Sequence, residues 1–219
     1  MKSIFTVMTT IIAMLAVSLL LNQKVKTDDD DYTEFLKRGR YHMDRSEYQE
    51  AIKYFERAIE IKGDMVEAYK DLGWAYLSIQ GFHEAVRVYR KLLNIEPENR
   101  IAHNNIGFAF RMADEPDSAI VAYEFALEWI PDDLFILHRL GELYYSLGRY
   151  RPAADISARC IDVESRFIQC REILANSYFA LGEYYLQEGY RDSVDVVYEL
   201  LLKLDARKAE ELTKLKNRQ

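Results

Sequence analysis

Residues 69–97 read YKDLGWAYLSIQGFHEAVRVYRKLLNIEP, and they decide the fold. Apolar and aromatic residues recur here at helical spacing, among them Tyr69, Leu72, Tyr76, Tyr89 and Leu92. Small residues, Gly73 and Ala85, interrupt them, and Pro97 closes the stretch. Two amphipathic helices of about 14 residues joined by a short turn account for this pattern. A lone pair of this kind cannot bury its apolar face, so copies of it should be stacked beside it.

The copies are present. Gly39, Gly73, Gly107 and Gly141 recur at one constant interval, and Ala51, Ala85, Ala119 and Ala153 follow them in the same register. One helical turn further stand Phe55, Tyr89, Tyr123 and, as a departure, Ser157. Pro97 and Pro131 repeat the interval of the glycines. Small residues are expected where paired helices approach most closely, and the aromatics are expected to fill the space between one pair and the next. Proline suits the boundaries because it starts or ends a helix readily and interrupts its middle.

These segments resemble the tetratricopeptide repeat, over residues 32 to about 208. The second unit carries Tyr69, Leu72-Gly73, Tyr76, Ala85, Tyr89 and Pro97; the third carries Ile106-Gly107, Phe110, Ala119, Tyr123, Ala126 and Pro131. The first is looser, with Arg38 before Gly39 and Gly63 at the proline position, and the fourth drifts to Ser157 and Cys160. The resemblance implies an all-α helix-turn-helix solenoid, wound as a right-handed superhelix and closed by a C-terminal capping helix. Five repeats are predicted at 32–65, 66–99, 100–133, 134–167 and 175–208.

The last repeat, marked by Leu181-Gly182, Tyr185, Val194 and Tyr198, lies seven residues out of register. Seven residues make nearly two helical turns, so a lengthened helix keeps the same face toward its neighbours. The expectation is a long helix from about Ser165 to Gln187 and another from Arg191 to Leu204. A charged capping helix and tail would occupy 206–219, covering the exposed end of the core.

Ahead of the repeats, Ile4 to Leu21 is an uncharged and mostly apolar run flanked by Lys2, Lys24 and Lys26. It is longer than the ~7–15 residues of a signal-peptide core and close to the ~20 that span a bilayer. Residues 1–26 are read as an uncleaved transmembrane anchor or a cleaved signal peptide, and residues 27–31 as an acidic linker. Lysines on both sides give the positive-inside rule little to decide. The preferred arrangement exports the repeats, in a periplasmic or extracytoplasmic position, with secretion after cleavage as the alternative.

The chain carries a formal charge of −7, and because residues 1–26 hold +3, the remainder holds −10. Such an acidic body argues against nucleic-acid binding, which depends on Lys and Arg neutralising phosphates. Catalysis is not expected either, since no phosphate loop, nucleophile elbow or HExxH stretch occurs. His42, His83, His103 and His138 are scattered over different units, so no metal and no cofactor is predicted. Cys160 and Cys170 flank a predicted turn near Ser165, where they are read as a disulfide or as two buried free thiols.

In tetratricopeptide arrays the first helices line a concave groove. Counted along those helices, the resemblance places Arg40, Lys70, Trp74, Phe108, Arg111 and Tyr145 there as a partner-binding groove, with Leu36, His138 and Glu142 at equivalent positions. Aromatic and arginine side chains together match the composition of binding hot spots. Chaperone-binding members use a clamp of lysine and asparagine, but Leu36 and Trp74 stand at two clamp positions. The implied function is a non-enzymatic scaffold or adaptor that binds a protein or peptide and meets the membrane through its N-terminal segment. The alternative is a self-associating structural spacer of the cell envelope, a homo-oligomer.

Overall fold

The computed structural model describes Met14 and residues 31–218, and these are helical without a strand. The anchor or signal reading of residues 1–26 lies outside the described residues, apart from Met14. Eleven helices follow one another among the described residues. The first, α1, runs over residues 31–44. It is followed by α2 (Tyr48–Ile61), α3 (Val66–Ser78), α4 (Phe82–Ile95), α5 (Arg100–Met112) and α6 (Pro116–Trp129). The rest are α7 (Leu134–Ser146), α8 (Tyr150–Val163), α9 (Ile168–Gln187), α10 (Arg191–Leu204) and α11 (Ala206–Lys216). Two compact units divide them, one ending at Pro97 and the other beginning at Glu98.

Each pair is joined by the same turn. Ser46, Gln80, Asp114, Gly148 and Gly189 have positive φ, between 59° and 78°. The amide after each donates to a carbonyl five residues back, as Gly81 N does to Tyr76 O at 2.8 Å and Tyr190 N to Tyr185 O at 2.9 Å. This left-handed cap satisfies helix carbonyls that would otherwise lack a donor. These caps keep the interval of the repeat glycines as far as Gly148, and the step to Gly189 is seven residues longer. Between pairs, the side chain of Asn99 accepts from Ala102 N and that of Asp133 accepts from Phe135 N and Ile136 N, each at 3.0 Å. Pro97 and Pro131 follow the ends of α4 and α6, and Pro116 opens α6.

The seven extra residues lie in α9, which is 20 residues long against 13 for α3, α5 and α7. It starts at Ile168 rather than near Ser165, because Glu164–Phe167 form a turn in which Phe167 N donates to Glu164 O at 3.0 Å. α10 spans Arg191–Leu204, the predicted interval, and α11 extends from Ala206 to Lys216 within the predicted capping segment.

The aromatics also pack within a pair, which the expectation did not include. Phe55, Tyr89 and Tyr123 set their rings on Gly39, Gly73 and Gly107 of their own pair. A Cβ on any of these glycines would stand 2.3–2.4 Å from a ring carbon. All three rings are fully buried. At Gly141 the partner is the Ser157 hydroxyl, and at Gly182 it is Leu212 of α11, 2.6 Å from the position of a Cβ. The capping helix thus inserts an aliphatic side chain where the earlier pairs use a ring. Leu212 and Ala209 join Val194, Val197 and Leu201 in a C-terminal core cluster.

Cys160 and Cys170 are buried and joined as a disulfide between α8 and α9, with Cα atoms 6.2 Å apart.

Candidate partner-binding surface

In the first unit, α1 presents Arg40 and α3 presents Lys70 and Trp74. Arg40 does not stand free: its Nε pairs with Asp71 at 2.6 Å and its Nη2 with Glu67 at 3.4 Å. Lys70 pairs with the same Glu67 at 2.9 Å. The two basic residues are therefore balanced by acids of α3, which the sequence reading did not anticipate. Exposed pairs of this kind contribute ~0–1 kcal/mol, so a partner's carboxylate can replace them at small cost. Trp74 remains 54% exposed, whereas Leu36 and Leu77 are buried. A large indole in water beside exchangeable ion pairs is the feature of this unit that most resembles a docking point.

The same unit has a cleft of about 520 Å³ lined by residues of α2, α3 and α4, including Glu56, Tyr69, Tyr76, Glu84 and Arg87. Its central phenol is already engaged, since the Tyr76 hydroxyl donates to Glu56 at 2.8 Å. Burial, and then the carboxylate bond, push the Tyr76 pKa up to about 12. The same tether recurs two repeats later between Tyr144 and Glu124, which marks it as a packing device of alternate repeats.

In the second unit, α5 carries Phe108 and Arg111, and α7 carries His138, Glu142 and Tyr145. The Arg111 guanidinium lies over the Phe108 ring, 5.6 Å from its centre. Its Nε is buried with no hydrogen-bond partner among the described residues. Tyr145 is half-buried against the core and 5.6 Å from the ring of Tyr150, so much of its surface serves packing. His138 lies 6.0 Å from the Phe167 ring, and burial holds its pKa below the usual histidine value. Arg139 pairs with Glu142 at 3.2 Å. Tyr123 was read from sequence as a packing aromatic, yet its buried hydroxyl also lacks a partner among the described residues. The legible signal was a tyrosine at a position that Phe55 fills without a hydroxyl.

One further surface was not foreseen. Val121, Phe125 and Trp129 recur every fourth residue on α6 and are 64%, 48% and 44% exposed. Among the described residues, no cluster of three or more His, Cys, Asp or Glu side chains is arranged to hold a metal. No helix among them is long and apolar enough to cross a membrane.

Helix pairs of this geometry, repeating at a constant interval, define the class of tetratricopeptide-repeat solenoids. Residues 36–80 and 70–132 match the tetratricopeptide repeat model, and residues 112–188 match that of the anaphase-promoting complex, cyclosome, subunit 3. A crystal structure of MamA protein is similar with a TM-score of 0.61 and 21% identity, over 83% of this chain and 96% of that one. MamA from Desulfovibrio magneticus RS-1, from residue 41 to its end, gives 0.57 and 16%, over 87% and 97%. YrrB, described as a TPR protein with an unusual peptide-binding site, gives 0.54 and 16%, over 88% and 97%. At these identities the likeness is one of fold. No curated protein matches the sequence.

Proposed function

We propose that this chain is a non-catalytic scaffold that captures a peptide or helix of a protein partner along the first helices of its repeats. Exposure of Trp74 carries the reading: an indole left in water beside exchangeable ion pairs supplies both apolar area and charge for a partner. The peptide-binding site described for the structurally similar YrrB agrees with this reading. Residues 1–26 tether the protein to a membrane or direct its export, and the repeats lie on the extracytoplasmic side, or are secreted if the segment is removed. The Cys160–Cys170 disulfide supports an oxidising compartment. A second reading, a self-associating envelope spacer, is favoured by the exposed Val121, Phe125 and Trp129 row on α6.

Crosslinked capture of the full-length chain from its native membranes separates the two. Trp74→Ala should weaken retention of a specific protein by about 2 kcal/mol, the scale of a tryptophan hot spot, while Phe125→Ser leaves it intact. Capture of further copies of the chain alone, abolished by Phe125→Ser and indifferent to Trp74→Ala, would select the spacer.

A further inference from the structure

The second helices of the pairs share an outward face, and α6 departs from the others there. Val121 and Phe125 stand where α2 carries Lys53 and Arg57, α4 carries Arg87 and Lys91, and α8 carries Asp155 and Arg159. Charged side chains thus suffice for the fold at these positions, yet α6 leaves a valine and a phenylalanine in water, with Trp129 one turn further on. α6 also contains no lysine or arginine, whereas α2, α4, α8 and α10 each do. Its acids are one-sided. Asp117, Glu124 and Glu128, at i, i+7 and i+11, line one flank of the apolar row, and the other flank carries Ser118 and Ala122. Asp117 pairs with Arg149 and Glu124 accepts from Tyr144, but Glu128 is exposed and makes no ion pair among the described residues.

A receiving shape occurs in the first unit. α2 and α4 both pack against α3, and the three line the cleft of about 520 Å³. Ile59, Leu72 and Val88 give it apolar surface. A cavity of roughly 150 Å³ takes up a benzene ring, so this cleft has room for Phe125 with a neighbour from its row. On the α4 side stand Arg87, paired with Glu84 at 2.9 Å, and Lys91, exposed and without an ion pair among the described residues. On the α2 side stand Glu56, which accepts from Tyr76, and Glu60, paired with Arg57 at 2.6 Å. Charge therefore permits one orientation of a docked α6, its acidic flank along α4 and its uncharged flank along α2.

We propose that the α6 row of one copy docks in the α2–α4 cleft of a second copy, with Glu128 against Lys91. The docking rests on the self-associating reading above and names its two faces. A pairing of two α6 rows would bring no cation to the acidic flank, since α6 has none. Because row and cleft are different surfaces, a docked pair keeps one of each free, and assembly continues past two. Neither Lys70 nor Trp74 lines the cleft, so the groove candidates of the first unit stay open to a partner.

Sedimentation velocity of the full-length chain in detergent micelles, over a concentration series, tests the docking. Two surface variants accompany it, Phe125→Ser and the double change Arg87→Glu, Lys91→Glu, with circular dichroism to check folding. The native chain should form assemblies larger than two that grow with concentration. Each variant alone should need at least about tenfold more protein to associate, since one removes the apolar ridge and the other sets like charges against Glu128. Mixed at concentrations where each is monomeric, the two variants should form a one-to-one complex and stop there, one supplying an intact cleft and the other an intact row. Native assembly that neither variant weakens, or that Phe125→Ser alone weakens, or variants that fail to pair on mixing, would overturn the docking and leave self-association standing. A native chain that stays monomeric at every concentration would overturn both and leave the groove reading untouched.

Discussion

Gly73 and Gly141 occupy equivalent positions in their repeats, yet their surroundings assign them different costs. A methyl group on Gly73 would meet the Tyr89 ring at 2.4 Å, and that ring is fully buried with no room to retreat. Overpacking of this kind costs ~1–3 kcal/mol, more than the ~0.5–1 kcal/mol that alanine returns over glycine inside a helix. At Gly141 the nearest atom is the Ser157 hydroxyl oxygen at 2.9 Å, and the next lies 3.8 Å away. A serine can rotate; a buried tyrosine ring cannot. Gly73→Ala should therefore lower the urea midpoint, whereas Gly141→Ala should leave it unchanged or raise it slightly. Equal losses at the two positions would mean that the ring contact does not govern the close approach. The replacement of an aromatic by Ser at 157 was visible in sequence, but its link to Gly141 was not, because the two sit on different helices and meet only when the pair closes.

Helices are where sequence reading succeeded most. The constant repeat interval and the seven-residue offset placed α10 to the residue, and placed α9 to within three residues of its start. The miss at α9 has a local cause, the turn at Glu164–Phe167, whose hydrogen bonds leave no signature in hydrophobic periodicity. Gly148 and Gly189 were a signal of the same offset that went unused; both occupy the positive-φ cap. α11 shows what periodicity omits. Its charged sequence suggested a helix capping the exposed core, and Leu212 makes that contact, taking the place against Gly182 that rings take earlier in the chain. Leu212→Ala should cost about 2–5 kcal/mol, the range for a buried leucine, whereas Leu202→Ala on exposed α10 surface should cost far less. Because repeat units depend on their nearest neighbours, hydrogen exchange in the Leu212→Ala variant should accelerate in α9 and α10 and stay unchanged in α1–α4. Uniform acceleration along the chain would contradict that local dependence.

For the molecule as a whole, the two cysteines connect fold to compartment. A disulfide closing the short loop between α8 and α9 adds ~2.5–3 kcal/mol in the chain-entropy model, and it persists only outside a reducing cytosol. Thiol titration of the full-length chain, denatured without reductant after isolation from its native membranes, should find both cysteines blocked. Two free thiols would refute the disulfide and remove its support for an exported repeat domain. The bond and the N-terminal segment bear on one another, since an exported domain is what residues 1–26 would deliver.

The repeat class, the helix order, the lengthening of α9 and the acidic character of the chain were all readable from residue spacing and composition alone. They depend on local periodicity, and a repeated unit states the same instruction several times over. The binding surface was readable only in outline. Its candidates came from positions along helices, but whether Arg40 and Lys70 are already paired depends on acids one turn away or on a neighbouring helix. Tyr123 changed most: periodicity makes it a core ring, and only the packed helices press that ring on Gly107 and leave its hydroxyl buried without a partner among the described residues. Spacing selects which face of a helix turns inward. What a polar atom meets there is decided by side chains far away in sequence, and those are brought together by tertiary packing.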